Sequence, residues 1–520
     1  MRPSLIRTVL VGVACFAALV LGVLVSNPPG LPPEAGRTPQ FDTTPVACPT
    51  DLPSVKRNLA GAARNYFLEH THPVSGLVRV VARNFGPTTD PQDRERASIA
   101  ATGFGLAVMA HAGKRGDVSR AFAFDYCKRT LEFLDANYQG VTWKGWFFHY
   151  LYWRPDPASG KAKRWDKSEY STIDTALLLA GALYSAQVFP HSRVAELAEK
   201  FYARVEFRDM TSGGAAPARR TLSLSYRLEA DARGRPAGYS PWLWDHYAEH
   251  MLLLILGLGS PSADHRLSPE AWTAWQRQAK TVDLRNLPSL AVEGFDPRVA
   301  PALRHREELI GYDRALFTHQ YTHLFVDLRN FEDRFGVNYF RNSVVATLDN
   351  REVCRSDASS RTFRHGFWGL SAGDAPAKEG AGGAGADRVR YKVNTPQRHD
   401  GTACIGAVPA SAMFAPAVVL EDIVRWCRGP YGYRLWGRYG LADGINLDQG
   451  GPQGWISPKV HGITVGPEYL ALANLEEATS VWRDFMANPH VQRGLKAAAS
   501  APLFTPSPKD NEGRQSRSGP

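Results

Sequence analysis

Two acidic residues, Asp166 and Glu169, lie close together beside Trp165, just before a predicted helix. Ser171 and Asp174 fit a capping box and a Leu-rich run follows them, so both carboxylates are expected in the loop that leads into this helix. An aromatic ring can stack on the face of a sugar, and paired carboxylates can transfer protons at a glycosidic bond. The segment therefore suggests a site that processes carbohydrate.

Glu249 is a further acidic residue, in the first turn of an apolar helix predicted over Tyr247–Leu258. The simplest interpretation is that its carboxylate complements the positive end of the helix dipole. Because Trp242 and Trp244 precede it closely, Glu249 could instead be desolvated, which would raise its pKa and make it a proton donor near neutral pH. Spacing alone favours the first interpretation, and the second stays open.

Two histidines and one glycine-flanked aspartate are weaker candidates. His319 and His323 lie at i, i+4 of a predicted helix, a spacing compatible with metal binding. No Glu lies between them as in a zincin and no third ligand is obvious, so polar groups that line a sugar site are the favoured interpretation, and no metal or cofactor is expected. Asp443 lies between Gly440 and Gly444, which suits a tight functional loop, although an Asx turn explains the same pattern.

Helical periodicity dominates the chain after a Pro-rich stretch, and strand-like alternation is sparse. Helices are predicted over Ser54–His70, Ala97–Ala112, Ala121–Ala136, Thr172–Gln187, Val194–Val205, Tyr247–Leu258, Ala271–Ala279, Leu316–Asn330, Val337–Leu348, Pro409–Arg425 and Pro467–Asn488. Gly145–Trp153 is predicted as a short hairpin, Ala372–Arg390 as a surface loop and Ala497–Pro520 as a disordered tail. About a dozen helices without a repeat of solenoid length favour an all-α fold, a closed helical toroid, over a stacked-repeat array.

Residues 1–26 have the features of a membrane-targeting segment. Arg2 and Arg7 precede an apolar run from Val9 to Val25, which is near the lower length limit for spanning a bilayer and long for the apolar region of a signal peptide. Residues 27–45 follow as a stiff Pro-rich linker. An uncleaved membrane anchor with the domain outside the cytoplasm is favoured, and a cleaved signal, which would give a periplasmic or secreted protein, is the alternative.

Charge and cysteine usage narrow the classes of function. The net charge is +10, but no Lys/Arg-rich block is interleaved with aromatic residues, so no nucleic-acid partner is expected. An odd number of cysteines follows the N-terminal segment, so at least one stays unpaired within the chain. Export would permit disulfides. Buried or paired structural residues are expected at Cys48, Cys127, Cys354, Cys404 and Cys427.

Several sequence blocks, taken in order, resemble the glycoamylase-like domain family. They are Ala97–Phe104, Ser168–Leu183, Trp244–Ser260, His319–Asp327, Trp368–Asp374, Asp400–Thr402, Trp436–Asp443 and Trp455–Pro467. The chain is most similar there to the endo-β-1,2-glucanases of glycoside hydrolase family 144, and the run from Ser168 to Gly181 is the most specific match. The resemblance implies an (α/α)6 toroid over residues 46–495, ahead of the tail at 496–520, with a sugar groove at the mouths of the inner helices.

The same resemblance implies hydrolysis of β-1,2-glucan with inversion and without a metal. Glu249 matches the general acid, Asp166 and Glu169 match acidic groups required in the groove, and Asp443 matches a candidate for the base side. The carboxylate that activates water would be Asp443 or Asp166. The implied sugar-binding residues are Trp146, His149, Trp165, His319, Gln320, His323, Asp327, Trp368 and Asp400.

Two other functions remain open: a glucan transglycosylase on the same fold, and a non-catalytic surface protein that binds glycans. The expected partners are an oligo- or polysaccharide substrate and, through the N-terminal segment, a membrane. The chain departs from the family pattern at Asp209–Gly238, which is long, at Ala372–Arg390, which looks inserted, and at Ser371–Ala375. These segments would form walls of the groove, so they bear on linkage specificity more than on the fold.

Overall fold

The structure, a computed structural model, describes residues 46–88, 90–212, 220–230, 234, 236–284, 306–377, 389–476 and 478–502. The predicted targeting segment at residues 1–26, the linker at 27–45 and residues 503–520 of the predicted tail lie outside the described residues. Within the ranges that the structure describes, no helix combines the length and apolar character that a membrane span requires.

Helices make up most of the regular structure. The longer ones are α1 (Leu52–His70), α2 (Ile99–Arg115), α3 (Arg120–Ala136), α4 (Thr172–Val188), α5 (Arg193–Arg204), α6 (Met251–Gly259), α7 (Tyr339–Ser356), α8 (Pro416–Arg428), α9 (Gly462–Asn474) and α10 (Pro489–Ala499). Shorter α-helical segments are Pro91–Glu95, Tyr138–Val141, Asp209–Ser212, Arg361–Arg364, Gly432–Leu435 and Val481–Phe485. The 3₁₀ segments are Pro269–Thr273, Leu316–His319, Tyr321–Leu324 and Ile405–Met413.

The helices form an inner and an outer layer. α2, α4, α6 and α9 are buried on almost every side, and every residue of α6 is buried. α1, α3, α5, α8 and α10 each bury one face only. A helix that is buried all round must be surrounded by other elements. α2 and α4 cross with their backbones in contact, since a Cβ on Gly181 would lie 1.9 Å from the carbonyl oxygen of Gly103.

Short strands join the helices in small antiparallel sheets. They are β1 (Val78–Arg79), β2 (Val81–Arg83), β3 (Arg96–Ser98), β4 (Thr142–Trp143), β5 (Trp146–Phe147), β6 (Tyr150–Tyr152), β7 (Tyr170–Ser171), β8 (Ser225–Arg227), β9 (Gly238–Tyr239), β10 (Ala279–Asp283), β11 (Arg306–Ile310), β12 (Ala372–Pro376), β13 (Val389–Val393), β14 (Trp436–Gly437), β15 (Gly440–Leu441), β16 (Ile445–Asn446), β17 (Trp455–Ile456) and β18 (Lys459–His461). β3, β7 and β18 run directly into α2, α4 and α9. Because β18 pairs with β2, β1 and β6 pair with β3, and Phe148 bridges to Tyr170, these strands tie the starts of the three helices together.

The mostly helical expectation is confirmed, and α1 to α5 lie close to their predicted bounds. Two predicted helices are wrong. Ala271–Ala279 begins in a 3₁₀ segment and ends in β10, and Leu316–Asn330 contains two successive 3₁₀ turns. In the second case tertiary contacts override the helical pattern. The Thr322 hydroxyl donates to the backbone oxygen of Glu249, and the His319 ring bonds the backbone oxygen of Gly311.

Further boundaries differ from the prediction, among them the end of α7, which continues to Ser356 instead of Leu348. The region predicted as one helix over Pro409–Arg425 is divided between a 3₁₀ segment and α8. The region Pro467–Asn488 breaks after α9, because the side chain of Asn474 bonds the backbone of Leu324 and Trp482 at 2.9 and 3.1 Å. The predicted start of the tail is too early, since α10 continues to Ala499.

The predicted hairpin over Gly145–Trp153 is wrong, because its two strands do not pair with each other: β5 pairs with β4, and β6 pairs with β3.

The cysteines follow their expected structural roles. Cys48 and Cys427 form a disulfide that joins the start of the described chain to α8. Cys127, Cys354 and Cys404 are free and buried.

Glu468, inside α9, is a buried carboxyl with 1% of its surface exposed, and its Oε1 has no hydrogen-bond partner among the described residues. Burial raises its pKa well above the usual range. The folded protein therefore keeps a proton that the unfolded chain loses above about pH 4.3, so stability falls as pH rises from there.

Replacing Glu468 by Gln is accordingly expected to increase the free energy of unfolding by about 1–3 kcal/mol at pH 8 and by much less at pH 4. Urea unfolding at both pH values measures this. Glu196→Gln on α5, where the side chain is 68% exposed and pairs with Arg193 at the surface, serves as the control, with a change below about 1 kcal/mol at either pH. Equal gains at both pH values would contradict the assignment of a neutral Glu468.

Candidate active site

The starts of the inner helices carry the predicted acidic residues. Glu169 lies two residues before Ser171, the N-cap of α4, and His461 is the N-cap of α9. Glu249 lies in the turn just before α6, which begins at Met251, and not inside the helix as predicted. The positive ends of these helices therefore face the segments that carry the carboxylates.

Glu249 is almost fully buried, with 8% of its surface exposed. Burial raises the pKa of its carboxyl to about 7; the charge of Asp174 raises this pKa further, while the backbone N–H of Glu249 and the charge of Arg314 oppose the rise. Its burial supports the desolvation interpretation of Glu249. At neutral pH a large fraction of the carboxyl carries a proton, as a general acid requires.

A second group of charges lies beside Glu249. The His149 ring contacts Glu169 Oε1 through Nδ1 at 3.1 Å and Asp174 Oδ1 through Nε2 at 3.5 Å. Burial disfavours the charge of His149, but Asp174 and Glu169 outweigh it and raise the pKa of the ring. Burial likewise opposes the charge of Glu169, but the hydrogen bond and charge of His149 lower its pKa to about 2. The predicted residues Glu169 and His149 thus form an ion pair, which Asp174 joins.

Asp174 is a site residue that was not predicted, because its position in the sequence is already explained by helix capping. Its backbone N–H donates to the Ser171 hydroxyl oxygen at 3.3 Å, as in an N-terminal cap, and its Oδ2 accepts a hydrogen bond of 2.5 Å from the same hydroxyl. Burial raises the pKa of Asp174, and His149 opposes that rise. The same carboxylate therefore orders the start of α4 and adds negative charge next to Glu249.

Asp443 is the second buried carboxylate among the predicted catalytic residues, with 1% of its surface exposed. Its Oδ2 accepts the backbone N–H of Asp374 at 2.6 Å, and its Oδ1 accepts the Thr464 hydroxyl at 3.1 Å. Burial raises its pKa to about 6, against the opposing charge of His461 and with a contribution from Asp374. Asp443 is therefore ionised at neutral pH and can accept a proton.

Asp374 and His461 were not predicted as site residues, and the surface loop predicted over Ala372–Arg390 is wrong at its start, where β12 is largely buried. Asp374 Oδ1 pairs with His461 Nε2 at 2.8 Å. Ligand atoms of Asp374, Asp443 and His461 lie within 4.8 Å of one another, a spacing that a metal ion could use. The two carboxylates outweigh burial and raise the pKa of His461 to about 9. In that state both ring nitrogens carry protons, so the three side chains form an ion-pair cluster, and binding a metal ion there would first require His461 to lose a proton.

Tyr321 marks where the carboxylates converge. Burial and then the charges of Glu249, Asp174 and Asp443 raise the pKa of its hydroxyl. This hydroxyl donates to the backbone oxygen of Ile463 at 2.7 Å, which fixes it at the start of α9. Acidic residues from three distant parts of the chain therefore act electrostatically on one phenol.

Tyr391 on β13 is a further aromatic residue of the site, and it is 49% exposed. Its ring centroid lies 5.1 Å from that of His461. Its neighbours in the strand, Arg390 and Lys392, both pair with Asp400, at 2.7 and 2.8 Å. Successive strand side chains point to opposite faces, so Asp400, predicted to bind sugar, instead anchors the strand that presents the Tyr391 ring.

Two tryptophans predicted to contact sugar are core residues, so these predictions are wrong. Trp146 has no exposed surface and packs edge-on against Phe207. Trp368 is 1% exposed, and its indole N–H donates to Asp422 at 2.9 Å. Both rings are enclosed by protein atoms, which leaves no face for a pyranose.

The segment His319–His323 is likewise buried rather than lining a groove, and its two histidines lie in separate 3₁₀ turns instead of on one helix face. Gln320 donates to the backbone of Ala407 and to the hydroxyl of Ser411. Burial lowers the pKa of His319 to about 4 and that of His323 to about 3, so both rings are neutral. The prediction that this segment binds sugar directly is wrong, because these side chains are buried and form contacts within the protein.

The remaining predicted residues lie away from the cluster of buried carboxylates. Asp166 is exposed in a turn, and no described contact joins it to the buried carboxylates. Trp165 is partly exposed and packs at 4.6 Å on the ring of Tyr152. Asp327 pairs with Arg329 at 2.7 Å. Of these, Trp165 retains a surface that a sugar can reach.

Comparison with known proteins gives this arrangement a context. Residues 241–489 match the family model described as "Putative glucoamylase". The chain is 22% identical over 455 residues to an exo β-1,2-glucooligosaccharide sophorohydrolase (non-reducing end) from Parabacteroides distasonis. That match covers 84% of this chain and 56% of the relative, so the chain spans little more than half of the relative's length.

Solved structures with similarly low sequence identity share the fold. A structure described as a putative glucoamylase from Bacteroides uniformis has 21% identity and a TM-score of 0.65, over 88% of this chain and 99% of that chain. An endo-β-1,2-glucanase from Chitinophaga pinensis, in complex with sophorotriose and glucose, has 19% identity and a TM-score of 0.65, over 86% and 98% of the two chains. The mostly helical fold of this chain is therefore the fold of these proteins.

Proposed function

We propose that the chain is a glycoside hydrolase of β-glucan, with β-1,2-glucan as its substrate, because its residues 241–489 match the glucoamylase family model. The relative from Parabacteroides distasonis acts on β-1,2-glucooligosaccharides, and the Chitinophaga pinensis structure is that of a β-1,2-glucanase. The observation that carries the proposal is that hydrogen bonds link the two buried carboxyl residues to the segment around Tyr321. Thr322 donates to the backbone oxygen of Glu249, and the Tyr321 hydroxyl donates to Ile463, whose neighbour Thr464 donates to Asp443.

The complete fold in this proposal is an (α/α)6 toroid. The fully buried helices α2, α4, α6 and α9 would be inner helices, and the helices with one buried face would be outer ones. The strands that tie the starts of α2, α4 and α9 together support a substrate groove at this end of the ring.

In the proposed reaction Glu249 is the general acid and Asp443 the general base. Glu249 gives its proton to the glycosidic oxygen as the bond from that oxygen to C1 breaks. Asp443 takes a proton from a water molecule whose oxygen bonds C1 from the opposite face, so the anomeric configuration inverts. In inverting enzymes the two carboxyls stand about 6.5–9.5 Å apart, which admits the water.

Burial supports Asp443 over Asp166 as the base. Asp443 accepts two hydrogen bonds that fix both carboxylate oxygens, whereas Asp166 is exposed in a turn. A base must be held within hydrogen-bonding reach of the attacking water. Asp166 and Trp165 are proposed to contact sugar units farther along the groove.

The first product is expected to carry the α-anomer at its new reducing end when the full chain acts on linear β-1,2-glucan. Proton NMR during the first minutes of reaction, before mutarotation, measures this. β-1,3-, β-1,4- and β-1,6-glucans serve as linkage controls. A β-anomer appearing first would favour the double displacement of a transglycosylase, and no reducing-end release from any glucan would favour a glycan-binding protein.

Export is a separate part of the proposal. Residues 1–26 would anchor the domain in the cell membrane, facing away from the cytoplasm, or would be cleaved to release it. The disulfide between Cys48 and Cys427 supports an oxidising compartment. Mass spectrometry of the N-terminus of the native protein distinguishes an intact anchor from a cleaved signal.

A further inference from the structure

The carboxylate of Asp443 is held by a strand that comes from elsewhere in the chain. β12 and β13 form an antiparallel pair in which Asp374 lies opposite Tyr391. The Asp374 N–H donates to Asp443 Oδ2 at 2.6 Å. A Cβ on Gly373 would lie 2.7 Å from the same oxygen, so only glycine at this position lets the strand approach so closely.

The side chain of Asp374 is itself fixed on both oxygens. Oδ1 pairs with His461 at 2.8 Å, and Oδ2 accepts the Ser457 hydroxyl at 2.6 Å. His461 begins the segment that also supplies Thr464, whose hydroxyl donates to Asp443 Oδ1. One connected network therefore holds the proposed base from two sides, and it contains one cation between two carboxylates.

We propose that Asp374 and His461 are positioning residues for Asp443: the Asp374 backbone aims its carboxylate, and the His461 imidazolium keeps it ionised. This inference rests on the proposed function. It assigns His461 no contact with the substrate and no proton transfer, since its partner through Nε2 is Asp374. The alternative use of the same three side chains, binding of a divalent cation, would require His461 to be neutral.

Other groups also act electrostatically on this network. Lys459 acts on Asp374 from β18, and Asp93, which pairs with Lys459 at 2.7 Å, acts on His461. Burial and the charge of Asp443 raise the pKa of the Cys404 thiol, and the same two causes contribute to the raised pKa values of Tyr321 and Tyr391. The thiol and both phenols are therefore neutral near pH 6. A change in the ionisation of Asp443 can thus be traced to Asp374 or His461.

Two variants of the full chain test the proposal with shifts of opposite sign. His461→Gln removes the cation and leaves the negative charge of Asp374, which disfavours ionisation of Asp443. The acid limb of the pH profile of kcat/KM on β-1,2-glucan should therefore move up by about one pH unit, and kcat/KM below this limb should fall roughly tenfold. Asp374→Asn removes an anion but keeps the N–H, so the limb should move down. KM should stay within about twofold in both. Structural damage alone would lower activity at all pH values without opposite shifts.

A second measurement does not depend on turnover. The His461 ring, followed by NMR in the full chain, is expected to titrate near pH 9, and its midpoint should fall in Asp443→Asn and in Asp374→Asn. If the wild-type chain cleaves no glucan but these shifts are found, the proposed function fails and the electrostatic coupling stands.

Three results would overturn the positioning proposal. The first is a His461 midpoint near the ordinary value of about 6.5 in the wild-type protein. The second is an acid limb that moves in neither variant. The third is loss of activity on dialysis against EDTA with recovery on adding a divalent cation, which would identify the cluster as a metal site.

Discussion

Glu249→Gln is expected to lower kcat on β-1,2-glucan by about 10³-fold while leaving the affinity for sophorotriose within a few-fold. The amide keeps the size of the side chain but cannot give a proton to the leaving oxygen, and general acid catalysis contributes roughly 10²–10⁴-fold. Reducing-sugar release gives kcat, and calorimetry gives the affinity. Near-normal turnover in this variant would remove Glu249 as the acid.

Glu468→Gln is the matched control, since it changes the same residue type at another buried position, within α9. It should keep wild-type turnover. Both variants replace a carboxyl whose pKa is raised by burial, so each is expected to be at least as thermally stable as the wild type. A loss of activity accompanied by a fall in Tm would indicate misfolding instead of a missing proton.

The wild-type pH profile follows from the same two carboxyls. Asp443, with a pKa of about 6, must be ionised and Glu249, with a pKa of about 7, must be protonated. The product of the two fractions gives a bell with its maximum between these values. In Glu249→Gln the basic limb should disappear from the residual activity, because glutamine does not titrate. A basic limb that persists in this variant would assign it to another group.

The acidic residues of the site could be predicted because they stand at helix starts, where capping motifs and apolar runs are visible in the sequence. Glu169 and Glu249 could be predicted in this way, whereas His149 was implied only by the family resemblance. Asp174 was visible too, but its capping role was a sufficient explanation of its position. Nothing in the local sequence indicated that its carboxylate also contacts His149.

The residues that were missed depend on contacts between distant segments. Asp374 lies in a stretch whose Ala and Gly content predicts a loop, and its burial follows from pairing with β13 and from the approach to Asp443. The opposite error occurred at Trp146 and His323, where the family resemblance implied contact with sugar and packing placed both side chains in the core. Residue type indicates which chemistry a side chain can perform, but the burial that decides its use arises only in the folded chain.

Asp443→Asn should lower kcat at least as much as Glu249→Gln, again by about 10³-fold or more. The asparagine can still accept the Asp374 N–H through its oxygen, so the local structure is expected to persist. It cannot take a proton from water, and hydrolysis through inversion requires that step. Unchanged affinity for sophorotriose and an unchanged Tm would separate this loss from damage to the groove.

A substrate with a better leaving group should distinguish the two variants. β-Sophorosyl fluoride releases fluoride, which needs far less help from a protonated acid than a sugar hydroxyl does. Glu249→Gln should therefore recover much of its hydrolysis rate on this substrate. Asp443→Asn should not, because the attacking water still has no base. If the pattern is reversed, the acid and base assignments must be exchanged, and if neither variant recovers, Glu249 acts by a route other than proton donation.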